Sequence, residues 1–110
     1  MSDAAIAKPK PVASRAETIA RLRAHEAEIR ALGATALYLF GSAARDELGP
    51  DSDVDLFIDY ERSGSLDFFK LCRVEDLALE ALARAVDLTT RQGLHPRLRE
   101  NIEQTSLRIF

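Results

Sequence analysis

Two periods of apolar and polar residues run along this chain, and the switches between them mark its elements. Ser14 followed three residues later by Glu17 forms a capping box, and Ile19, Leu22, Ile29 and Leu32 behind it fall at helical spacing. The pattern predicts one helix from Ser14 to Gly33, where a glycine suits a left-handed helix end. His25 lies beside the stripe as a boundary residue. Thr35 to Phe40 is a short apolar run with β-branched and aromatic content, the signature of a buried strand. Ala43 to Leu48 suits a short helix, stopped by Gly49-Pro50. Asp53 to Tyr60 alternates strictly: Asp53, Asp55, Phe57 and Asp59 share one face, and Val54, Leu56 and Ile58 the other. That is a half-buried strand.

Helical spacing returns after Ser63-Gly64-Ser65. Ser65 caps a helix running to about Arg84, with Phe68, Leu71, Val74, Ala78 and Leu82 turned inward. Ala85 to Thr90 predicts a third strand, with Asp87 opposite Val86 and Leu88. Gly93 punctuates, Pro96 opens a last helix to about Gln104, and Ser106 to Phe110 closes as a short strand. Alternating elements define an α/β sandwich. The short link between the first two strands makes them antiparallel, so the small sheet is mixed, with helices packed on it. Residues 1–13, rich in Ala, Lys and Pro, read as a flexible tail, because Pro9 and Pro11 disfavour helix. The domain is 14–110.

Composition narrows the class. A length of 110 residues is one domain with one modest core. Hydrophobic residues at 46% against 30% charged indicate a globular protein rather than a disordered one. The net charge of −3 lacks the basic footprint of a protein held to a nucleic-acid backbone. The single cysteine, Cys72, excludes an internal disulfide and reads as a small core residue. No apolar run reaches membrane-spanning length and no secretory leader is visible, so a cytoplasmic location without membrane contact is expected.

The chemistry concentrates between residues 39 and 87. Gly41 sits where strand becomes helix, and Ser42 opens that helix, whose free amides attract anions. Asp53 and Asp55 point the same way, roughly 7 Å apart at the backbone. Two like charges on one strand face invite a counter-ion, and oxygen-loving divalent ions suit them. Asp87 is flanked by core residues on a neighbouring strand. Either bound metal or a basic neighbour such as Arg84 or Arg91 would compensate it.

An apolar strand, Gly-Ser, about ten residues, Asp-apolar-Asp-apolar and a later strand Asp together form a recognisable set. They stand here as Leu39-Phe40-Gly41-Ser42, Ala44-Arg45, Ser52-Asp53-Val54-Asp55-Leu56 and Val86-Asp87-Leu88. In this the chain resembles the minimal nucleotidyltransferases of the DNA polymerase β superfamily. The likeness covers about residues 14–110, and the stretch from Gly93-Leu94-His95-Pro96 through Ile102 to the end also matches.

The resemblance implies metal-dependent transfer of AMP from ATP. Asp53 and Asp55 would bind two magnesium ions and Asp87 the catalytic one, with Asp87 also placed to accept the acceptor's proton. The Gly41-Ser42 loop would hold the β- and γ-phosphates. Arg45 would neutralise pyrophosphate, unless it pairs with Glu47 or Asp51. Relatives of this size are antitoxins that adenylylate a tyrosine on a HEPN-domain ribonuclease toxin, which implies a toxin partner in a hetero-oligomer and no direct nucleic-acid contact. Silencing of the toxin by binding alone, and transfer to a small molecule, are the alternatives. One position departs from the pattern. Many relatives carry Gly after the Arg, where this chain has Asp46, an acid that either weakens triphosphate binding or points to solvent.

Overall fold

The computed structural model describes residues 9–110. The order is α1 (Arg15–Arg23), α2 (Glu26–Ala31), β1 (Ala34–Phe40), α3 (Gly41–Ala44), β2 (Val54–Tyr60), α4 (Phe68–Leu82), β3 (Val86–Thr90), a 3₁₀ turn (Arg91–Gly93), α5 (Arg99–Thr105) and β4 (Leu107–Arg108). The four strands form one sheet in the order β3-β2-β1-β4. β1 runs antiparallel to β2 and to β4, and β2 runs parallel to β3. The mixed α/β sheet expected from the alternation is therefore the one observed.

One face of the sheet carries the core. Leu37 and Leu39 of β1 and Val54, Leu56 and Ile58 of β2 meet Leu22, Ile29, Val74, Leu77, Ala78 and Leu82 from α1, α2 and α4, all buried. Alternation sends the remaining β2 side chains to the opposite face. Phe57 is also fully buried, but on that other side, where it stacks on Tyr38 at 4.7 Å between ring centroids and meets Phe40. Arg91 lies over the Tyr38 and Phe57 rings, 5.0 Å from each centroid.

Several boundaries differ from the expected ones, each for a local reason. The first helix breaks at Ala24–His25 into α1 and α2, and Arg23 Nε donates to the Ile109 carbonyl at 2.9 Å. No glycine or proline announces that break. The helix after β2 starts not at Ser65 but behind Asp67, whose carboxylate accepts the Lys70 amide at 2.8 Å. Leu66 is instead drawn in against Gly33. Two expectations of burial on α4 are overturned. Phe68 is 71% exposed, because the first turn overhangs the ends of β2 and β3 and borders an open groove with Tyr60 and Thr90. Cys72 is exposed, since the buried stripe runs through Val74, Leu77, Ala78 and Leu82 and leaves it on the outer side. The short helix after β1 is shifted to Gly41–Ala44, and the last helix starts at Arg99 after a turn through Pro96–Leu98.

The expected tail divides. Residues 1–8 lie outside the described residues. Val12, by contrast, is 1% exposed in the core. Its amide donates to the Leu82 carbonyl at 3.0 Å and its own carbonyl accepts from Arg84 at 2.9 Å. Residues before Ser14 thus strap the fold together. Burying the two methyls of Val12 is worth about 2 kcal/mol on hydrocarbon-transfer grounds, so Val12→Ala is expected to lower unfolding free energy by about that amount. Urea denaturation followed by circular dichroism checks this, and an unchanged midpoint would refute the strap.

Candidate active site

The parallel β2–β3 pairing places the Cα of Asp55 directly opposite that of Asp87, as Val54 opposes Val86 and Leu56 opposes Leu88. The apolar partners fix this register, because a slip of one residue would turn every buried side chain outward. Asp55 is also the cross-strand partner of Phe40, the last residue of β1. Gly41 follows with φ of 70°, a left-handed conformation that favours glycine. A Cβ at Gly41 would run into the Asp55 carboxylate, so the Gly-Ser turn lies directly against the central acid.

Asp53 stands just ahead of β2, exposed, and close enough to act electrostatically on Asp55. Burial raises the Asp55 pKa, and the charges of Asp87 and then Asp53 raise it further, against a smaller lowering by Arg45. Among the described residues none of these three carboxylates enters a salt bridge. The basic neighbours expected as alternatives are engaged elsewhere. Arg91 forks onto both oxygens of Asp59 at 2.7 and 2.8 Å and reaches Glu103 at 2.6 Å, while Arg84 donates to backbone carbonyls.

Three carboxylates without cationic partners, one of them held back from ionising, are an oxygen donor set suited to divalent metal. Asp55 and Asp87 stand in register with Asp53 just ahead of β2, yet the three are not drawn into a closed cage: no group of three or more His, Cys, Asp or Glu side chains among the described residues is close enough to hold an ion. Ser42 sits half-buried in α3 beside Gly41. Arg45 pairs with Glu47 at 2.8 Å and is largely exposed, as the ion-pair alternative held.

Asp46 adopts φ of 58°, a conformation in which glycine is the unstrained choice. Its carboxylate accepts the Arg15 amide at 2.8 Å, at the start of α1, while Arg15 reaches the Ala44 carbonyl at 3.1 Å. The extra acid is engaged by the helix start and does not belong to the acidic group. The two arginines weighed as partners of Asp87 take other roles. Arg84 touches the loop before Asp53, and Arg91 neutralises the far end of the acidic face. Each role depends on a contact 32 residues away in the chain, which the local sequence does not signal.

Residues 22–109 match the nucleotidyltransferase domain, so the chain belongs to that family, in its minimal form. A protein of Methanocaldococcus jannaschii, provisionally named a protein adenylyltransferase, is 34% identical over 90 residues, covering 80% of this chain and 90% of that one. The protein adenylyltransferase MntA of Thermococcus cleftensis is 35% identical over 88 residues, 79% of this chain and 83% of its own length. Among solved structures, one provisionally described as a minimal nucleotidyltransferase superposes with a TM-score of 0.65 at 30% identity, over 81% of this chain and 93% of that one. A toxin–antitoxin structure with AMP-PNP shares the fold, with a TM-score of 0.63 at 19% identity over 80% of this chain and 72% of that one. The protein is a nucleotidyltransferase. No helix among the described residues is long and apolar enough to cross a membrane.

The two aspartates four residues apart on β2 respond to pH in opposite senses. Asp59 is lowered from the ordinary value near 3.8, first by its hydrogen bonds from Arg91, so it adds stability above that value and loses it as pH falls through its folded pKa. Asp55 is raised from the same value. Between its unfolded and folded pKa the native state binds more protons than the unfolded one, so stability declines as pH rises through that window and stays reduced above it. Asp55→Asn should therefore melt at a higher temperature than wild type at pH 7.5 in chelator, with the gap closing toward pH 4. Thermal unfolding across that range measures it, and a destabilised Asp55→Asn at pH 7.5 would contradict the assignment.

Proposed function

We propose that the protein transfers AMP from ATP to a tyrosine of a HEPN-domain ribonuclease toxin, and so acts as the antitoxin of a two-protein system. The observation that carries the reading is Asp55 set opposite Asp87 in register, with the Gly41 turn packed on the Asp55 carboxylate. Support for a protein acceptor comes from the relatives named protein adenylyltransferases. Support for a toxin partner and a nucleotide comes from the toxin–antitoxin structure with AMP-PNP.

In this reading Asp53 and Asp55 hold two magnesium ions and Asp87 holds one of them. Bound magnesium supplies positive charge against the phosphates and lowers the pKa of the acceptor hydroxyl. The Gly41 and Ser42 backbone and the Ser42 hydroxyl hold the β- and γ-phosphates, close to the central acid. Asp87, exposed at the edge strand, takes the proton of the tyrosine hydroxyl. The tyrosine oxygen then bonds to the α-phosphorus, the bond from that phosphorus to the bridging oxygen breaks, and pyrophosphate leaves. Arg45 turns from Glu47 to the departing charge. Alignment and charge stabilisation carry the rate.

Neutralisation by binding alone drew its support from Asp46 as an acid beside the phosphate loop. That support weakens, because the Asp46 carboxylate is turned onto the start of α1. The test is co-expression with a HEPN ribonuclease and intact-mass analysis of the ribonuclease. The expected result is one added AMP on tyrosine, absent with Asp53→Ala. A tight complex without modification would point to occlusion, and activity on an antibiotic panel without any protein partner would point to small-molecule transfer.

Ligands that bind only the native state stabilise it, so magnesium with a non-hydrolysable ATP analogue should raise the melting temperature of wild type. The double variant Asp53→Ala/Asp55→Ala should show no such rise. An undiminished rise in that variant would move the nucleotide site elsewhere.

A further inference from the structure

Arg84 lies between α4 and β3, behind Ala83, which closes α4 in a left-handed conformation with φ of 53°. Its guanidinium spans three carbonyls from two separate stretches of chain. One nitrogen donates to Val12 at 2.9 Å, in the strap before α1. The other donates to Ser52 at 2.8 Å and to Gly49. Gly49 to Ser52 is itself a closed turn: the Ser52 amide bonds the Gly49 carbonyl at 3.3 Å, and the Gly49 amide bonds the Ser52 hydroxyl at 3.1 Å. Arginine suits this place because its planar fork offers several N–H donors in fixed directions.

The residue that follows this turn is Asp53. It stands outside the regular ladder, since β2 begins at Val54. Its backbone is nevertheless gripped on both sides by two consecutive residues. Arg84 holds the Ser52 carbonyl before it, and the Ala85 carbonyl accepts the Val54 amide after it at 2.9 Å. Two residues beyond Ala85 is Asp87, already in register with Asp55. The same short run, 84–87, thus fixes the path of Asp53 and carries the third acid.

We infer that Arg84 is a positioning residue for nucleotidyl transfer, setting Asp53 relative to Asp55 and Asp87 through the backbone of Ser52. The inference rests on the reading of Asp53 as a magnesium-binding acid. Arg84 touches no substrate. Its effect is to remove the freedom of an exposed carboxylate that has no side-chain partner among the described residues and lies outside any regular element.

The test compares full-length wild type, Arg84→Lys, Ser52→Ala and Asp53→Asn. Lysine keeps the charge but cannot reach three carbonyls in the arginine geometry. Ser52→Ala loosens the turn and leaves Arg84 intact. Melting curves with a non-hydrolysable ATP analogue are titrated with magnesium, and kcat and the KM for ATP are measured alongside. Loss of a residue that orients a metal ligand raises the metal requirement or lowers the rate by about 10- to 100-fold. Arg84→Lys is therefore expected to need that much more magnesium for half-maximal stabilisation, with kcat reduced and KM for ATP nearly unchanged. Ser52→Ala should shift the same way by less. Faster hydrogen exchange at the Asp53 and Val54 amides should accompany both.

Wild-type magnesium dependence and kcat in Arg84→Lys and Ser52→Ala, whatever their melting temperatures, would overturn the inference and leave a purely structural arginine. Should Arg84→Lys not fold, Arg84→Gln, which also lacks the three-carbonyl fork, is read on the same measurements. An Asp53→Asn protein indistinguishable from wild type would instead refute the reading of Asp53 itself. The two failures are thereby separated.

Discussion

The parallel register between β2 and β3 is the constraint from which the site follows. It sets Asp55 against Asp87 at the cost of mutual repulsion, and the apolar partners on the same two strands meet that cost. Val54, Leu56 and Ile58 are fully buried under α1, α2 and α4, and strict alternation makes their burial inseparable from the outward placement of the acids. The hydrophobic core is therefore also what holds like charges together. The raised pKa of Asp55 is the local expression of that crowding, with burial as its first cause and the neighbouring acids next.

Distribution of the arginines completes the picture. Arg91 neutralises Asp59 and Glu103 and lies over the Tyr38–Phe57 stack. Arg15, Arg21 and Arg84 are all used on backbone carbonyls that hold the strap and the loops. Among the described residues, Arg45 is the cation that bears on Asp55, and its own bond runs to Glu47. One sheet face thus has a neutralised end at Asp59 and an uncompensated end at Asp55. Phe57 separates the two as a fully buried spacer. The division lets one strand carry two acids, of which Asp59 is satisfied as an ion pair and Asp55 is not.

Strand periodicity made the three long strands and the Asp53, Asp55 and Asp87 placements legible from the chain, because a period of two leaves only one way to bury Val54, Leu56 and Ile58. The same alternation grouped Phe57 with the acids without revealing that it is buried, since its cover comes from Tyr38, Phe40 and Arg91 on other elements. Helix ends were less legible. The break at Ala24 lacks any breaker residue, and Ser65 competes with Asp67 for the cap, a contest decided by Leu66 packing on Gly33. Cys72 and Phe68 looked internal because composition does not say how far a helix overhangs its sheet. Asp46 looked disruptive because nothing local indicates that its carboxylate meets α1 thirty-one residues back.

Exposure falls unevenly over the acidic group, and the unevenness has chemical meaning. Asp53 and Asp87 are exposed, whereas Asp55 is half-buried between them and against Gly41. A carboxylate that loses water on one side and faces like charge on the other has the strongest demand for a cation. Rigidity is supplied from behind, through the β2–β3 ladder and the carbonyls gripped by Arg84, rather than through bonds to the carboxylates themselves. Such an arrangement keeps all three carboxylates out of salt bridges among the described residues, as the proposed nucleotide site requires.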